Sequence, residues 1–371
     1  MRLVLGLVML LSAAGPVLAA EGSETLERVV MVQRHGVRSP TKPPSAYARY
    51  SSEAWPDWPV EPGNLTPHGA ENIRLMAARL RANYAGLGLV PAQGCPAGIS
   101  VWADGADERT RDSGQAFLDG AFPGCGLIAA HGPEGQRDPV FDGAELACKP
   151  DPDASRRALV AAAQGLESRG AEIEQAKQVL NGILRPPAGE EVQDLKTAAS
   201  LAETLLLEYG QGMEPAKVGW GRASAADIAK VMPLHNLSAM VNRHTAYIAS
   251  HNGAVLARTV LAALQGQGGE TLKLIAGHDT NLSNLAGILD LSWSLPGQPD
   301  DTPPGGALAI ELWRDGQGHR TVRLAFFYQR LEDMRAGADK PLGRVDIQAP
   351  VPLDVFIQRV EKALPAECRK G

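Results

Sequence analysis

The apolar residues of this chain fall into short runs that end abruptly in polar residues. Three such runs are Val29–Val32, Ile99–Ala103 and Leu272–Gly277. Apolar runs of four to eight residues that contain β-branched residues predict buried strands. Open α/β sheets bind their ligands beyond the carboxyl ends of the strands, so we expect the polar residues after these runs to line one crevice.

The pattern is different in the middle and in the last third of the chain. From Asp153 to about Leu207 apolar residues recur at helical spacing among Ala, Glu and Gln, which predicts a mostly helical segment. Ala307–Trp313 and Thr321–Tyr328 flank the turn residues Asp315–Gly318 and predict an antiparallel hairpin. A hairpin beside parallel strands makes the central sheet mixed.

A chain of 371 residues exceeds a comfortable single hydrophobic core. We therefore predict an α/β fold with a mixed central sheet flanked by helices and a smaller inserted, mostly α-helical domain. We assign residues 1–20 to a signal peptide, 21–148 to the first part of the α/β core, 149–245 to the mainly helical insertion and 246–371 to the second part of the core.

The first residues are typical of a secretory signal. Arg2 is the only charged residue before Glu21, Leu3–Leu11 is apolar, and small residues follow. No later segment approaches the roughly 20 apolar residues that a bilayer requires. We expect a periplasmic or secreted protein that has no membrane association after cleavage and is a monomer. The formal net charge of −6 argues against a nucleic-acid partner.

The four cysteines, Cys95, Cys125, Cys148 and Cys368, are widely spaced and contain no C-x-x-C pair. A structural zinc site is therefore not expected, and the chain has no H-E-x-x-H motif for a catalytic metal. In an exported chain two disulfides are expected, and three pairings are compatible with the sequence.

The candidate chemistry follows the predicted strands. After the first run comes Arg34-His35-Gly36-Val37-Arg38-Ser39-Pro40, in which a histidine stands between two guanidinium groups. A single guanidinium group can bind two phosphate oxygens at once, so Arg34 and Arg38 are candidate phosphate ligands. His35 is a candidate nucleophile. By itself this peptide also fits a basic turn.

Two further strand ends carry polar residues. His278-Asp279 follows the third run and begins a helical pattern, and Asp107–Arg111 follows the second run after a short turn. In isolation, His278-Asp279 fits a strand-end histidine with an acidic helix cap. Beside the arginine–histidine peptide, the same residues favour an anion-binding catalytic site.

Taken together, these residues resemble the histidine acid phosphatases (histidine phosphatase superfamily, branch 2), whose signatures are R-H-G-x-R-x-P near the start and H-D near the end. Longer matches resemble the bacterial periplasmic phytase group of that family, and the resemblance extends from about Glu27 to Cys368. The matching stretches are RHGVRSPTK (34–42), AWPDWPV (54–60), DERTR (107–111), GWGR (219–222) and AGHDTN (276–281).

The resemblance implies a phosphoglycerate-mutase-like core and a metal-independent, cofactor-free reaction through a phosphohistidine. It implies that His35 is the nucleophile and Asp279 the proton donor, with Arg109 in a structural ion pair. The phosphoryl group would be held by Arg34, Arg38, Arg111 and His278, and Thr41, Lys42 and Asp107 would line the substrate pocket. The implied disulfides are Cys95–Cys125 and Cys148–Cys368.

We therefore expect a secreted acid phosphomonoesterase that hydrolyses phytate and other small phosphate monoesters. The alternatives are a glucose-1-phosphatase or a broad-specificity acid phosphatase on the same scaffold. A periplasmic protein that binds organic phosphate without hydrolysing it is disfavoured, because binding requires the arginines but neither His35 nor Asp279.

Overall fold

The computed structural model describes residues 24–369, so the predicted signal peptide lies outside the described residues. The strands are β1 (Thr25–Arg34), β2 (Ile99–Ala103), β3 (Ala130–His131), β4 (Leu272–Gly277), β5 (Ala307–Arg314), β6 (Arg320–Tyr328), β7 (Gly343–Asp346) and β8 (Val351–Pro352). The α-helices are α1 (Pro67–Gly86), α2 (Glu108–Ala121), α3 (Gly143–Leu146), α4 (Pro152–Gly165), α5 (Gly170–Leu184), α6 (Leu195–Gly210), α7 (Ala225–Ala239), α8 (Ala246–Asn252), α9 (Ala254–Leu264), α10 (Asp279–Leu289), α11 (Leu331–Ala336) and α12 (Leu353–Ala363). A π-helical turn, Met240–His244, follows α7.

The strands form one mixed sheet in the order β3-β2-β4-β1-β5-β6-β7, and β8 pairs with β6. The pairs formed among strands β1 to β4 are all parallel. Every pair that involves one of the strands β5 to β8 is antiparallel. The predicted hairpin is confirmed, because β5 and β6 pair from Ala307↔Phe327 to Arg314↔Arg320. The predicted mixed α/β fold is therefore confirmed.

Strand β1 runs through the centre of the protein and serves two hydrophobic cores. Val29 and Met31 belong to the core beneath α1 and α2, whereas Val30 and Val32 belong to the core beneath α9, α10 and α12. This division follows from the alternation of side chains along a strand. A sheet covered by helices on both faces explains why the run 29–32 is apolar at every position.

The helical segment contributes most residues of a third hydrophobic cluster, which also includes a few residues from outside that segment. Leu180 of α5, Leu205 of α6 and Val231 of α7 are each 0% exposed and belong to this third core. The cluster is what a separate inserted unit requires. The boundaries 149–245 for that unit remain a prediction.

Both disulfides have the pairing that the resemblance implied. Cys95 is joined to Cys125 and Cys148 to Cys368, with Cα atoms 5.4 Å apart in each pair. The second bond spans 220 residues and ties the end of the chain to the segment that enters the helical unit. Across residues 24–369, no helix has both the length and the hydropathy needed to span a bilayer.

Candidate active site

The carboxyl ends of β1, β4 and β2 are adjacent at one edge of the sheet. Backbone pairing continues past the strands: His35 N–H donates to the Gly277 oxygen at 2.9 Å, and Asp104 N–H donates to the Ala276 oxygen at 3.0 Å. His278 follows β4 directly and is the N-cap of α10. Residues that follow three separate apolar runs are therefore neighbours in space, as the sequence pattern predicts.

The backbone that follows His35 is held from two sides. Gly36 N–H donates to Ser113 Oγ on α2 at 3.0 Å. On the α1 side, a Cβ atom at residue 36 would lie 2.8 Å from the backbone oxygen of Gly69, which leaves no room for a side chain. This close packing fixes the direction in which the His35 side chain leaves the strand.

The His35 ring has a defined tautomer. Its Nδ1 lies 2.9 Å from the Gly36 carbonyl oxygen, and because a carbonyl only accepts, Nδ1 carries the hydrogen. In the neutral ring Nε2 then holds the free lone pair, so Nε2 is the atom that can attack an electrophile. The ring is 2% exposed and stands edge-on to His278, with the ring centroids 5.6 Å apart.

Burial and nearby cations keep His35 neutral. Its pKa is lowered well below the ordinary histidine value, first by burial and then by the charges of Arg109, Arg38 and Arg34. In the part of the chain that the structure describes, the Nε atoms of these three arginines are buried and have no hydrogen-bond acceptor. An N–H donor that is buried without an acceptor is costly, so these three groups favour an anionic ligand beside His35.

The arginine assignment from the resemblance differs from the geometry at one position. Arg109 makes the expected ion pair, donating to both Asp107 carboxylate oxygens at 2.9 and 2.7 Å. It is also the cation that most lowers the pKa of His35. Arg111, in contrast, donates to the Gly105 oxygen at 2.7 Å and lies 3.8 Å from the exposed Glu134. The geometry therefore favours Arg109 over Arg111 as the third phosphate ligand.

His278 is oriented by two aspartates. Its Nε2 lies 2.8 Å from Asp104 Oδ2 and 3.4 Å from Asp107 Oδ2. Burial opposes ionisation of Asp104, but hydrogen bonds from His278 and from the Ala106 backbone lower its pKa. Asp104 therefore presents an ionised carboxylate to the imidazole, which fixes the ring beside His35. Asp104 was not among the site residues predicted from the sequence, although it follows β2 directly, at the strand end where ligand-binding residues are expected.

Asp279 lies in a group of cations at the start of α10. Its Oδ2 contacts Arg243 Nη1 and lies 3.6 Å from His235 Nε2 and 4.0 Å from Arg34 Nη2. Burial opposes the charged carboxylate, but Arg243 and Arg34 hold the pKa of Asp279 well below its usual value. In the unliganded site Asp279 is therefore an ionised carboxylate with cations around it.

Arg34 connects Asp279 to two more carboxylates. Its Nη1 donates to Asp300 Oδ2 at 2.9 Å and to the Thr302 backbone oxygen at 2.6 Å, while Nη2 donates to Glu203. Glu203 also accepts from Arg38 Nη2, at 3.2 Å to each of its oxygens. The carboxylate of Glu203 therefore bridges the two arginines of the R-H-G-x-R peptide.

The charged residues on the helical side were not identified from the sequence: Glu203, His235, Arg243 and Asp300. They lie on α6, on α7, on the π-helical turn and in the loop before β5, respectively. A signal did exist for Glu203, because helical spacing places it on the same face as the buried Ala199 and Leu207. A carboxylate on a buried helix face requires a cationic partner, which indicates a polar site.

Thr41 and Lys42 are exposed and follow the R-H-G-x-R-x-P peptide. Lys42 lines a cavity of about 170 Å³ together with Ser39, Tyr47 and Trp58. Neither residue is in the cluster of charges around His35, so their assignment to the substrate pocket stays a prediction.

Two clusters of the site contain residue types that bind metals. In residues 24–369 they are Asp104 with Asp107 and His278, and Glu203 with His235 and Asp279. In each cluster carboxylates already pair with arginines, as Asp107 does with Arg109. Bound guanidinium groups compete with a cation, so neither cluster matches the donor set of a resident metal ion.

Comparison with known proteins gives consistent matches. The sequence profile of the histidine phosphatase superfamily (branch 2) matches residues 25–180. Phytase AppA of Escherichia coli (strain K12) is 34% identical over 358 residues, which cover 84% of this chain and 82% of that protein. A glucose-1-phosphatase of Salmonella typhimurium is 27% identical, with 90% and 87% covered. The structure of Hafnia alvei phytase in complex with tartrate has a TM-score of 0.88 at 32% identity, covering 95% of this chain and 100% of that chain.

Proposed function

The chain belongs to branch 2 of the histidine phosphatase superfamily, and from this membership and the geometry of the site we propose that it hydrolyses phosphate monoesters, phytate among them, through a phosphohistidine on His35. The observation that carries the proposal is the surroundings of the neutral His35 ring. Its Nδ1 is held by the Gly36 carbonyl, and the charges of three arginines act on it, whose buried Nε–H groups have no acceptor in the described part of the chain.

This arrangement supplies what phosphoryl transfer requires. The neutral Nε2 attacks phosphorus, and Arg34, Arg38 and Arg109 stabilise the charge that develops on the equatorial oxygens. His278, oriented by Asp104, stands beside the attacking ring and contacts the same phosphoryl group. Attack leaves an alkoxide on the departing alcohol, and we assign its protonation to Asp279.

Phytate is the proposed preferred substrate. The support is that the Escherichia coli and Hafnia alvei proteins named above are phytases and share more identity with this chain than the glucose-1-phosphatase of Salmonella typhimurium does. Lys42, which is exposed and follows the R-H-G-x-R-x-P peptide, adds positive charge for a substrate with several phosphate groups. Glucose 1-phosphate is the alternative substrate, since a glucose-1-phosphatase matches nearly the whole chain.

We further propose that the protein acts in the periplasm or outside the cell as a monomer. The support for export is the apolar pattern of the first residues together with two disulfides, which persist in oxidising compartments.

The phosphohistidine is tested by rapid mixing of the enzyme with ³²P-labelled substrate, followed by quenching. Base-stable, acid-labile label on a peptide that contains His35 is the expected result. His35→Ala should lose the label and lower turnover by at least about 10³-fold, because it removes the nucleophile itself. Near-normal turnover by His35→Ala would rule out this function for the site. Initial rates on phytate, glucose 1-phosphate and 4-nitrophenyl phosphate in the presence of chelator then rank the substrates.

A further inference from the structure

The buried imidazole of His235 lies between two carboxylates. Its Nε2 is 3.6 Å from Asp279 Oδ2 and its Nδ1 is 3.5 Å from Asp300 Oδ1. A neutral imidazole carries one N–H, whereas an imidazolium presents an N–H to each side. With His235 5% exposed and Asp300 0% exposed, the three groups are shielded from solvent. Both separations are ion-pair distances longer than a hydrogen bond, and Nδ1 has no hydrogen-bond partner among the described residues. An imidazolium at this position offsets the charge of both acids, which a neutral ring does not.

The charges that face His235 agree with this protonation state. Burial opposes a charged ring, but Asp300, Asp279 and Glu203 together raise the pKa of His235 to about 10. These carboxylates come from the loop before β5, from the start of α10 and from α6. At acid and neutral pH, His235 therefore holds a proton that no step of the reaction has yet used.

Asp279, in contrast, has no proton in the unliganded site. Among the described residues, the cations within 4.0 Å of its carboxylate are Arg34, Arg243 and His235. Arginine does not release its proton in proteins, because its pKa lies above about 12. Of the three neighbours, only His235 can pass a proton to Asp279.

We propose that His235 is a positioning residue that supplies, through Asp279, the proton taken by the leaving alcohol. The inference rests on the proposed phosphohistidine chemistry. As His35 Nε2 forms its bond to phosphorus and the P–O bond to the alcohol breaks, the ionised Asp279 carboxylate takes the proton of His235 Nε2 and passes it to the leaving oxygen. The alcohol departs neutral, and His235 is left neutral with Nδ1–H still facing Asp300.

The second half of the reaction restores the proton. Water attacks phosphorus, the N–P bond breaks, and the proton lost by the water passes to Asp279 and from there to His235. Phosphate leaves and the imidazolium between Asp279 and Asp300 is regenerated. The proton balance closes over one turnover without any external acid.

The test is a series of monoesters with increasingly poor leaving groups: 4-nitrophenyl phosphate, phenyl phosphate and glycerol 2-phosphate. His235→Gln keeps an amide donor near Asp279 but has no proton to transfer. We expect a small loss of kcat on the nitrophenyl ester and a loss about 10²-fold larger on glycerol 2-phosphate. Inhibition by inorganic phosphate should be unchanged. His235→Asn, which keeps a donor toward Asp300, is the second variant and replaces the glutamine variant if that one does not fold. It should show the same larger loss of kcat on poor leaving groups.

A matched control is available in His251, another buried histidine, which is 4% exposed and whose Nδ1 bonds the Tyr247 backbone oxygen at 2.7 Å. In His251→Gln, any loss of kcat relative to the unaltered enzyme should be the same on all three esters. Equal losses on all three esters in both His235 variants would overturn the inference and leave His235 a structural cation. That outcome is distinct from failure of the proposed function, which is detected by the absence of label on His35 in the unaltered enzyme.

Discussion

The two walls of the active site balance their charges in different ways. The arginine wall consists of Arg38 and Arg109 beside His35, with Arg34 at its edge. The carboxylate wall consists of Glu203, Asp279 and Asp300 with the cations His235 and Arg243 between them. In the arginine wall the Nη groups are ion-paired but each buried Nε–H lacks an acceptor within the described residues. In the carboxylate wall each acid is paired with at least one cation, and in the described part of the chain its buried nitrogen without a hydrogen-bond partner is His235 Nδ1.

This difference separates two tasks. Buried Nε–H donors without an acceptor gain most when an anion arrives, so we propose that the arginine wall binds and stabilises the phosphoryl group. Acids whose charge is offset by neighbouring cations repel that anion only weakly. In the carboxylate wall, the proposed mobile proton is the one on His235. Arg34, which bonds Asp300 and Glu203 while lowering the pKa of His35, joins the walls.

The walls also differ in origin. The arginine wall comes from β1, the peptide that follows it and the start of α2. Most of the carboxylate wall comes from α6, α7, the π-helical turn and the loop before β5. In the proposed reaction the α/β core therefore provides the phosphate site, and the helical segment provides most of the groups assigned to the side of the leaving alcohol.

The largest effect that separates the walls is expected for Asp279→Asn. An inositol or sugar alkoxide is a poor leaving group and must be protonated as it departs, a contribution of about 10²–10⁴ in rate. A nitrophenolate leaves without that proton. We therefore expect kcat to fall by about 10²–10⁴ on phytate and by far less on 4-nitrophenyl phosphate, measured where chemistry limits the rate.

Inorganic phosphate should still inhibit the Asp279 variant, because the arginine wall is unchanged. Equal losses on good and poor leaving groups would limit Asp279 to stabilising the first turn of α10, where it accepts from Thr280 N–H, and would remove the acid role from the carboxylate wall.

In the arginine wall, Arg109 and Arg111 form a matched pair on the same helix. Removal of one preorganised donor at a developing charge costs about 10²–10³ in kcat, so Arg109→Ala should impair every substrate by that factor. Arg111→Ala removes only contacts to the Gly105 oxygen and to an exposed acid, and we expect less than about a 10-fold loss. Rates of both variants on phytate and 4-nitrophenyl phosphate decide the assignment, and the reverse ranking would restore Arg111 as the phosphate ligand.

The arginine wall could be predicted from the sequence because its geometry is mostly local. His35 and Arg38 lie within four residues of the end of β1, and the strand-end rule brings His278 and the β2 end to them. The choice between Arg109 and Arg111 was not predictable in this way. Residues two positions apart on a helix point in directions that differ by about 200°. Which of the two arginines faces the site therefore depends on where α2 begins, here after Asp107.

The carboxylate wall could not be predicted because its members become neighbours only through tertiary packing. Glu203 lies 169 residues from Arg34 and Arg243 lies 36 residues from Asp279, with no common motif. His235 belongs to a helix that the sequence assigned only to the insertion. Its protonation state depends on Asp300 and Asp279, which are contributed by two other segments.

Glu208, a second buried glutamate on α6 that lies outside the site, can be compared with Glu203 of the carboxylate wall. Glu208 is 1% exposed and accepts from Gly219 N–H at 2.9 Å through Oε2, while its Oε1 has no hydrogen-bond partner among the described residues. Burial without a cation raises the pKa of Glu208 to about 8, whereas Arg38 and Arg34 overcome the burial of Glu203 and lower the pKa of that residue. Two glutamates five positions apart on one helix thus have opposite pKa shifts.

The smallest expected effect follows from this raised pKa. A carboxyl whose pKa is higher in the folded than in the unfolded chain binds its proton more tightly when folded. Glu208 therefore does not lower the free energy of unfolding below the unfolded-chain pKa of about 4.5, and it lowers that free energy progressively as the pH rises toward 8. Between pH 5 and pH 7 the loss approaches about 1.4 kcal/mol per pH unit, roughly 2–3 kcal/mol in all. Glu208→Gln removes this titration, so its free energy of unfolding should exceed that of the unaltered protein by an amount that grows over the same interval, as denaturant unfolding at several pH values measures. Glu174→Gln, on an exposed glutamate of α5, is the control for the substitution itself and is measured at the same pH values. Parallel pH profiles for the unaltered protein and the Glu208 variant would mean that Glu208 is compensated in the folded state as Glu203 is, and the contrast between the two glutamates would then fail.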